Sequence, residues 1–157
     1  MTAKELSRLC AGKSITEIKK LICGKKLGYG VHRTVYILKQ DPDYVVKIER
    51  DFRKGMFANV TEWRNYMDNL HWHWFAKWLA PCVMIDEPGR ILIQKRVVQD
   101  KRPYPKKIPA LFTDLKKCNF GWIGDQFVCC DYSSLLTVIK SKTNKPKLPQ
   151  KPVVKVN

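Results

Sequence analysis

An acid, an amide and an acid stand at Asp114, Asn119 and Asp131, at intervals of five and twelve residues. A magnesium–phosphate centre requires that set: one carboxylate to accept a hydroxyl proton, and two oxygen donors for a hard cation. Toward the N-terminus, Lys47 lies in "YVVKIE" (44–49), a β-branched run whose apolar neighbours turn the ammonium inward. A lysine so placed needs an anion, and Glu62 of "NVTEWRNY", fifteen residues on, supplies one. Ahead of both, "KLGYGVHRTVYILK" (26–39) carries Gly28 and Gly30. Glycines between strands let a β-turn lie flat over phosphates, because no Cβ shields the backbone N–H groups. The same pair also serves an ordinary hairpin turn.

Positioning these groups falls to elements that the hydrophobic spacing outlines. Residues 3–23 carry Leu6, Leu9, Cys10, Ile15, Ile18, Leu21 and Ile22 at mostly helical spacing, with Ser14 and Glu17 as a capping box. One helix or two short ones are expected there. The stretches 27–39 and 43–49 read as strands joined at the turn "QDPD", a hairpin with the glycine turn at its head. Residues 56–79 read as one long helix. "CVMIDEPGRILIQ" predicts a hairpin around Glu87-Pro88-Gly89, and "FGWIGDQFVCCD" another turned at Gly124-Asp125, with the loop "QDKRPYPKKIP" between them. This order of elements is an antiparallel α+β layout.

Taken in sequence, the motifs resemble those of the protein-kinase-like superfamily in a strongly shortened form. "LGYGVHRTVY" resembles the glycine-rich loop, with Val35 at the adenine-covering valine, and "VVKIE" resembles the strand carrying the phosphate-binding lysine. "DLKKCN" matches the spacing of a serine/threonine-type catalytic loop, and "DYS" stands in for DFG. The resemblance implies that Asp114 is the base and Lys116 a γ-phosphate contact. It makes Asn119 and Asp131 magnesium ligands, Lys47 the α/β-phosphate contact and Glu62 its helix partner. Gln94 joins Gly28, Gly30, Val35, Lys47 and Glu62 as an expected cofactor contact. ATP and magnesium are the implied cofactors, a protein hydroxyl the implied substrate, and a virus or phage the implied source, acting in the host cytoplasm. The implied fold is a kinase-like antiparallel-sheet N-lobe with one long helix and a vestigial C-lobe.

The departures are specific. Arg33 replaces the loop's third glycine, which stiffens the loop and sends the side chain either to a phosphate or to solvent. Phe112 and Thr113 replace the histidine and arginine before the base, and Ser133 replaces the DFG glycine. So few residues separate Gln94 from Asp114, and follow Asp131 in this sequence, that the usual helical C-lobe and its peptide platform are not expected within it. The resemblance spans roughly residues 26–136. It divides the chain into an N-terminal helical extension (1–25), a minimal domain (26–139) and a Lys/Pro-rich tail (140–157) expected to be mobile.

Composition bounds the partners. With 157 residues, 45% hydrophobic and 11% aromatic, the chain has the apolar material for one globular domain. Its 30 Lys and Arg against 14 Asp and Glu leave a charge of +16, which attracts an acidic partner protein, phosphorylated ligands or nucleic acid, the last nonspecifically. Residues 101–157 hold twelve Lys and Arg and three acids, two of them the candidate base and metal ligand. Six cysteines form no CxxC, which points to buried free thiols in a reducing cytosol rather than to zinc or disulfides. The start lacks a leader's apolar core and no apolar run approaches membrane-spanning length, so a cytoplasmic protein without a membrane partner is expected. "HWHWFAKWLA" (71–80) reads chiefly as core packing, since its histidines lack a third metal ligand, with stacking on nucleic-acid bases as the other use of its tryptophans. Beside the phosphotransferase stand two other expectations: a pseudokinase that binds a partner, and a basic nucleic-acid-binding protein.

Overall fold

A computed structural model describes residues 3–50, 57–135 and 153–155. The N-terminal stretch forms two helices, α1 (Ala3–Cys10) and α2 (Ile15–Ile22). The break between them is set by the capping box: the Ser14 hydroxyl accepts from the Glu17 N–H at 3.3 Å, and the Glu17 carboxylate accepts from the Ser14 N–H at 2.8 Å. The chain passes directly from α2 into β1 (Cys23–Tyr29), so the expected domain boundary at residue 25 falls inside a strand.

β1, β2 (Arg33–Leu38), β3 (Tyr44–Glu49), β4 (Cys82–Ile85) and β5 (Ile91–Lys95) form one antiparallel sheet in the order β1-β2-β3-β5-β4. The stretch 27–39, expected as one strand, is thus the end of β1, a turn over Gly30–His32 and β2. The Gly30 N–H closes that turn on the Arg33 carbonyl at 2.8 Å. Residues Gln40–Asp43 then join β2 to β3 as expected.

The expected long helix over 56–79 is instead α3 (Ala58–Asn69) followed by the single turn α4 (His73–Ala76), residue 56 lying outside the described segments. Two local causes end α3. The Leu70 and Trp72 N–H groups turn back three residues, to the carbonyls of Met67 and Asn69, which tightens the last turn. The aromatic run that follows is drawn into a separate core: Phe75 is fully buried, and Trp72, Trp74 and Trp78 pack partly buried against the same cluster.

Alternation along the strands separates two cores. Val46, Ile48, Ile91 and Ile93 face α1 and α2, where Leu6, Cys10, Ile18 and Ile22 are buried with them. Leu92 faces the other way and joins Phe75, Leu79, Ile108, Phe112, Phe120 and Phe127. That second core rests on a small layer: β6 (Lys107–Pro109), a 3-10 turn over Lys117–Asn119, and the hairpin β7 (Phe120–Ile123) and β8 (Gln126–Cys129). Phe120 and Phe127 stack across that hairpin, centroids 5.7 Å apart, and Phe112 meets Phe120 edge-on at 5.4 Å. His71 and His73 remain exposed. The segment from residue 140 onward lies outside the described residues except for β9 (Val153–Lys155), which pairs with β6. Among the described residues no helix is long and apolar enough to cross a membrane.

Candidate functional site

The site is built where α3 crosses the face of the sheet opposite α1 and α2. Its register is fixed at its first turn. The Asn59 N–H, one of the orphan donors at the helix start, bonds the Glu49 carboxylate at 2.6 Å, where the negative charge also suits the helix dipole. The Asn59 side-chain amide donates to the carbonyls of Lys47 at 3.1 Å and Arg90 at 3.0 Å. With Asn59 pinned to β3, Glu62 lies one turn further along the same helix face, against Lys47.

Lys47 Nζ stands 2.8 Å from Glu62 Oε1 and 3.0 Å from Oε2, and also donates to the Cys130 carbonyl. The expected strand–helix ion pair is therefore present, and both partners are buried. Gln94, expected to touch a cofactor, is wholly buried; its Nε2 donates to Glu62 Oε1 at 3.1 Å and the Ala80 carbonyl at 3.3 Å. As placed, Gln94 holds Glu62.

Of its two expected destinations, Arg33 does not take the solvent. It sits directly across from Glu49, as Val35 does from Lys47, so Arg33, Val35 and Lys47 share one face of the sheet. Its guanidinium turns inward and is 7% exposed. One terminal nitrogen donates to Glu62; the other donates to Asp131 Oδ1 at 2.6 Å. Burial alone would lower the Arg33 pKa, but the charges of Glu62 and Asp131 outweigh it and raise it. The side chain is a fixed cation at the centre of the cluster.

Asp131 is half-buried at the cluster's edge, and its Oδ1 also accepts from the Ser133 hydroxyl at 3.2 Å. Desolvation pushes its carboxyl up, while Arg33, Lys47 and these hydrogen bonds pull harder and hold it below the ordinary value. The Asn65 amide on α3 donates to the Tyr132 carbonyl at 2.8 Å, so one helix positions both Lys47, through Glu62, and the segment around Asp131. Tyr132 is buried beneath, its hydroxyl donating to the Ala80 carbonyl at 2.6 Å.

Asp114 lines a shallow recess with Asp131, between Thr113 and Ser134. Lys116 pairs with Asp114 at 3.1 Å in an exposed position. Asn119 is buried, and its amide nitrogen donates to the Asp114 carbonyl at 3.3 Å, which braces the segment between them. Asp131 thus has Oδ1 held by the guanidinium, while Asn119 engages backbone through its amide nitrogen and its oxygen lies 3.6 Å from the Cys118 thiol. No three His, Cys, Asp or Glu side chains cluster as metal ligands among the described residues.

Above the cluster, a Cβ at Gly28 or Gly30 would meet nothing within 4 Å, and neither glycine has positive φ. Nothing in the fold itself requires glycine there, in contrast to Gly121, where a Cβ would meet the Val98 carbonyl oxygen at 2.6 Å. Around the site the thiols are subdued. Burial pushes Cys130 up to about 11 and raises Cys82 and Cys129 as well.

Sequence reasoning missed Asn59, Asn65 and the inward turn of Arg33. Compared with known proteins, the chain matches no family model and no curated protein.

Proposed function

We propose that the chain is a compact kinase-like phosphotransferase that binds ATP between the five-stranded sheet and the small C-terminal layer and phosphorylates protein hydroxyls. The observation that supports this most is the buried Lys47–Glu62 pair at 2.8 Å, set beneath a glycine turn that the fold leaves uncovered. In this reading Lys47, held by Glu62, meets the α/β-phosphates. The backbone at Gly28 and Gly30 approaches the phosphates, and Val35, on the same sheet face, covers the adenine. Asp114 accepts the proton of the acceptor hydroxyl as its oxygen bonds the γ-phosphorus and the β–γ bridge bond breaks, releasing ADP. Lys116, already paired with Asp114, neutralises charge on the transferring group. The choice of a protein hydroxyl follows from the resemblance of the catalytic loop alone.

ATP titration and transfer of radiolabelled phosphate to a generic acceptor protein test the reading together. Asp114→Asn should leave ATP affinity within a factor of about 2 while cutting transfer ~100-fold, because a general base acts on the hydroxyl rather than on nucleotide binding. Lys47→Met should weaken ATP binding itself. Absence of any thermal shift with millimolar ATP, with or without metal, would sink the reading, since a ligand of the folded state must stabilise it. The salt bridge from Arg33 to Asp131 favours a second reading, a kinase-fold pseudoenzyme that binds a partner protein. ATP binding without transfer to any acceptor would select it.

A further inference from the structure

We infer that Arg33 is a built-in counter-cation for the phosphate site, so that this cleft takes the polyphosphate of a nucleotide without a divalent metal ion. The inference rests on the nucleotide-binding reading above and sharpens it. Arg33 opens β2 immediately after the glycine turn, on the sheet face that carries Lys47. Its carbonyl accepts from the Gly30 N–H at 2.8 Å, which ties it to the glycine turn.

The guanidinium is anchored on three sides, by Glu62, by Asn59 Oδ1 at 3.5 Å and by Asp131 at 2.6 Å. It is therefore part of the built structure and not a surface side chain resting over the cleft. Charge decides what the site can attract. Within the cluster the carboxylates of Glu62 and Asp131 are matched by Lys47 and Arg33. A third carboxylate, Glu49, is tied to the first turn of α3 by the Asn59 N–H, and an incoming divalent ion would meet Asp131 with Oδ1 already held by Arg33 and against repulsion from Arg33 and Lys47. An anion meets the opposite situation. Guanidinium N–H groups lie in a plane suited to phosphate oxygens, and the Arg33–Asp131 pair reaches solvent at its half-exposed Asp131 end. With Asp131 already neutralised, the carboxylate that would repel a triphosphate is screened without magnesium.

The experiment is calorimetric titration of the full chain with ATP, once in excess EDTA and once in millimolar magnesium chloride. Wild type should bind with affinities that agree within about threefold, a difference well under the tenfold that 1.4 kcal/mol represents. Arg33→Gly, which bares Asp131, should bind at least ~10-fold more weakly in EDTA and recover in magnesium. Arg33→Lys keeps the charge and should stay metal-independent, which retains the test if Arg33→Gly does not fold. Wild-type binding seen only with magnesium overturns the inference and leaves the nucleotide reading standing. Binding in neither buffer removes the nucleotide reading and this inference with it. A folded Arg33→Gly chain that remains indifferent to magnesium overturns the assignment to Arg33.

Discussion

Replacing Glu62 by alanine tests the physical core of the site. Glu62 is fully buried and accepts from Lys47 through both oxygens, from Arg33 and from Gln94. Its removal takes from two buried cations the carboxylate both bond directly, leaving half-buried Asp131 and Glu49, which is engaged at the start of α3. Breaking a buried ion pair from one side costs about 3–5 kcal/mol, because the surviving charge loses its partner without regaining water. Against a total stability of about 5–15 kcal/mol, that is a large share. In a domain of this size each kcal/mol shifts the melting temperature by about 2–4 °C, so a fall of roughly 6–20 °C is expected. Thermal unfolding followed by tryptophan fluorescence measures it, with Lys116→Ala as reference. Lys116 also pairs with a carboxylate, but its side chain is 72% exposed, and its loss should leave the midpoint in place. A Glu62→Ala midpoint no lower than that of Lys116→Ala would refute the argument. So would a lack of coupling in the pair Arg33→Met and Glu62→Met: the double variant removes the guanidinium together with its carboxylate partner and should recover part of what Glu62→Met loses.

The remaining expectations follow from burial and geometry. Iodoacetamide at mildly alkaline pH should label exposed Cys118 first and Cys130 slowly, since burial pushes that thiol up to about 11, while Cys82 and Cys129 should react only on unfolding; mass spectrometry of the modified peptides reads the order. Because the folded-state pKa of Asp131 is lowered, its stabilising contribution is complete above the unfolded carboxylate value and is lost as pH falls through the folded one. Unfolding midpoints taken from neutral pH into that acid range should therefore decline less steeply for Asp131→Asn than for wild type. Gly121→Ala should destabilise the fold, because its Cβ would meet backbone at Val98, whereas Gly28→Ala and Gly30→Ala should leave the melting temperature unchanged and alter ATP affinity alone.

Strands β3, β4 and β5, the β7–β8 hairpin and the α2 cap were legible because they rest on local signals such as β-branched runs, the turn at "QDPD" and the Ser14–Glu17 spacing, whereas β6 lies in the stretch expected as a loop. The Lys47–Glu62 pair was legible for a related reason, since an inward lysine on a strand needs an anion and the following helix offers few. The break after Asn69 was not. Composition favours helix through 79, and what ends α3 is the pull of Phe75 and its neighbours into a core made by residues 108–132, far along the chain. The roles of Asn59 and Asn65 are equally nonlocal, since each side chain reaches a carbonyl that only the finished fold brings to it.

Arg33 shows how far register alone could have gone. The motif presents it as a substituted glycine in a loop, and a loop arginine has no reason to point inward. Pairing β2 with β3 around Lys39–Asp43 changes that. It sets Ile37 opposite Val45, Val35 opposite Lys47 and Arg33 opposite Glu49. Residues directly opposite in an antiparallel pair share a face. An inward Lys47 therefore makes Arg33 an inward cation as well, and an inward cation must find carboxylates. Glu62 is the nearest on α3, and Asp131 completes the pair. The consequence reaches the chemistry: once a strand register commits a second buried cation to this face, Asp131 has a resident partner, and any account of phosphate binding here must begin with a guanidinium already in place.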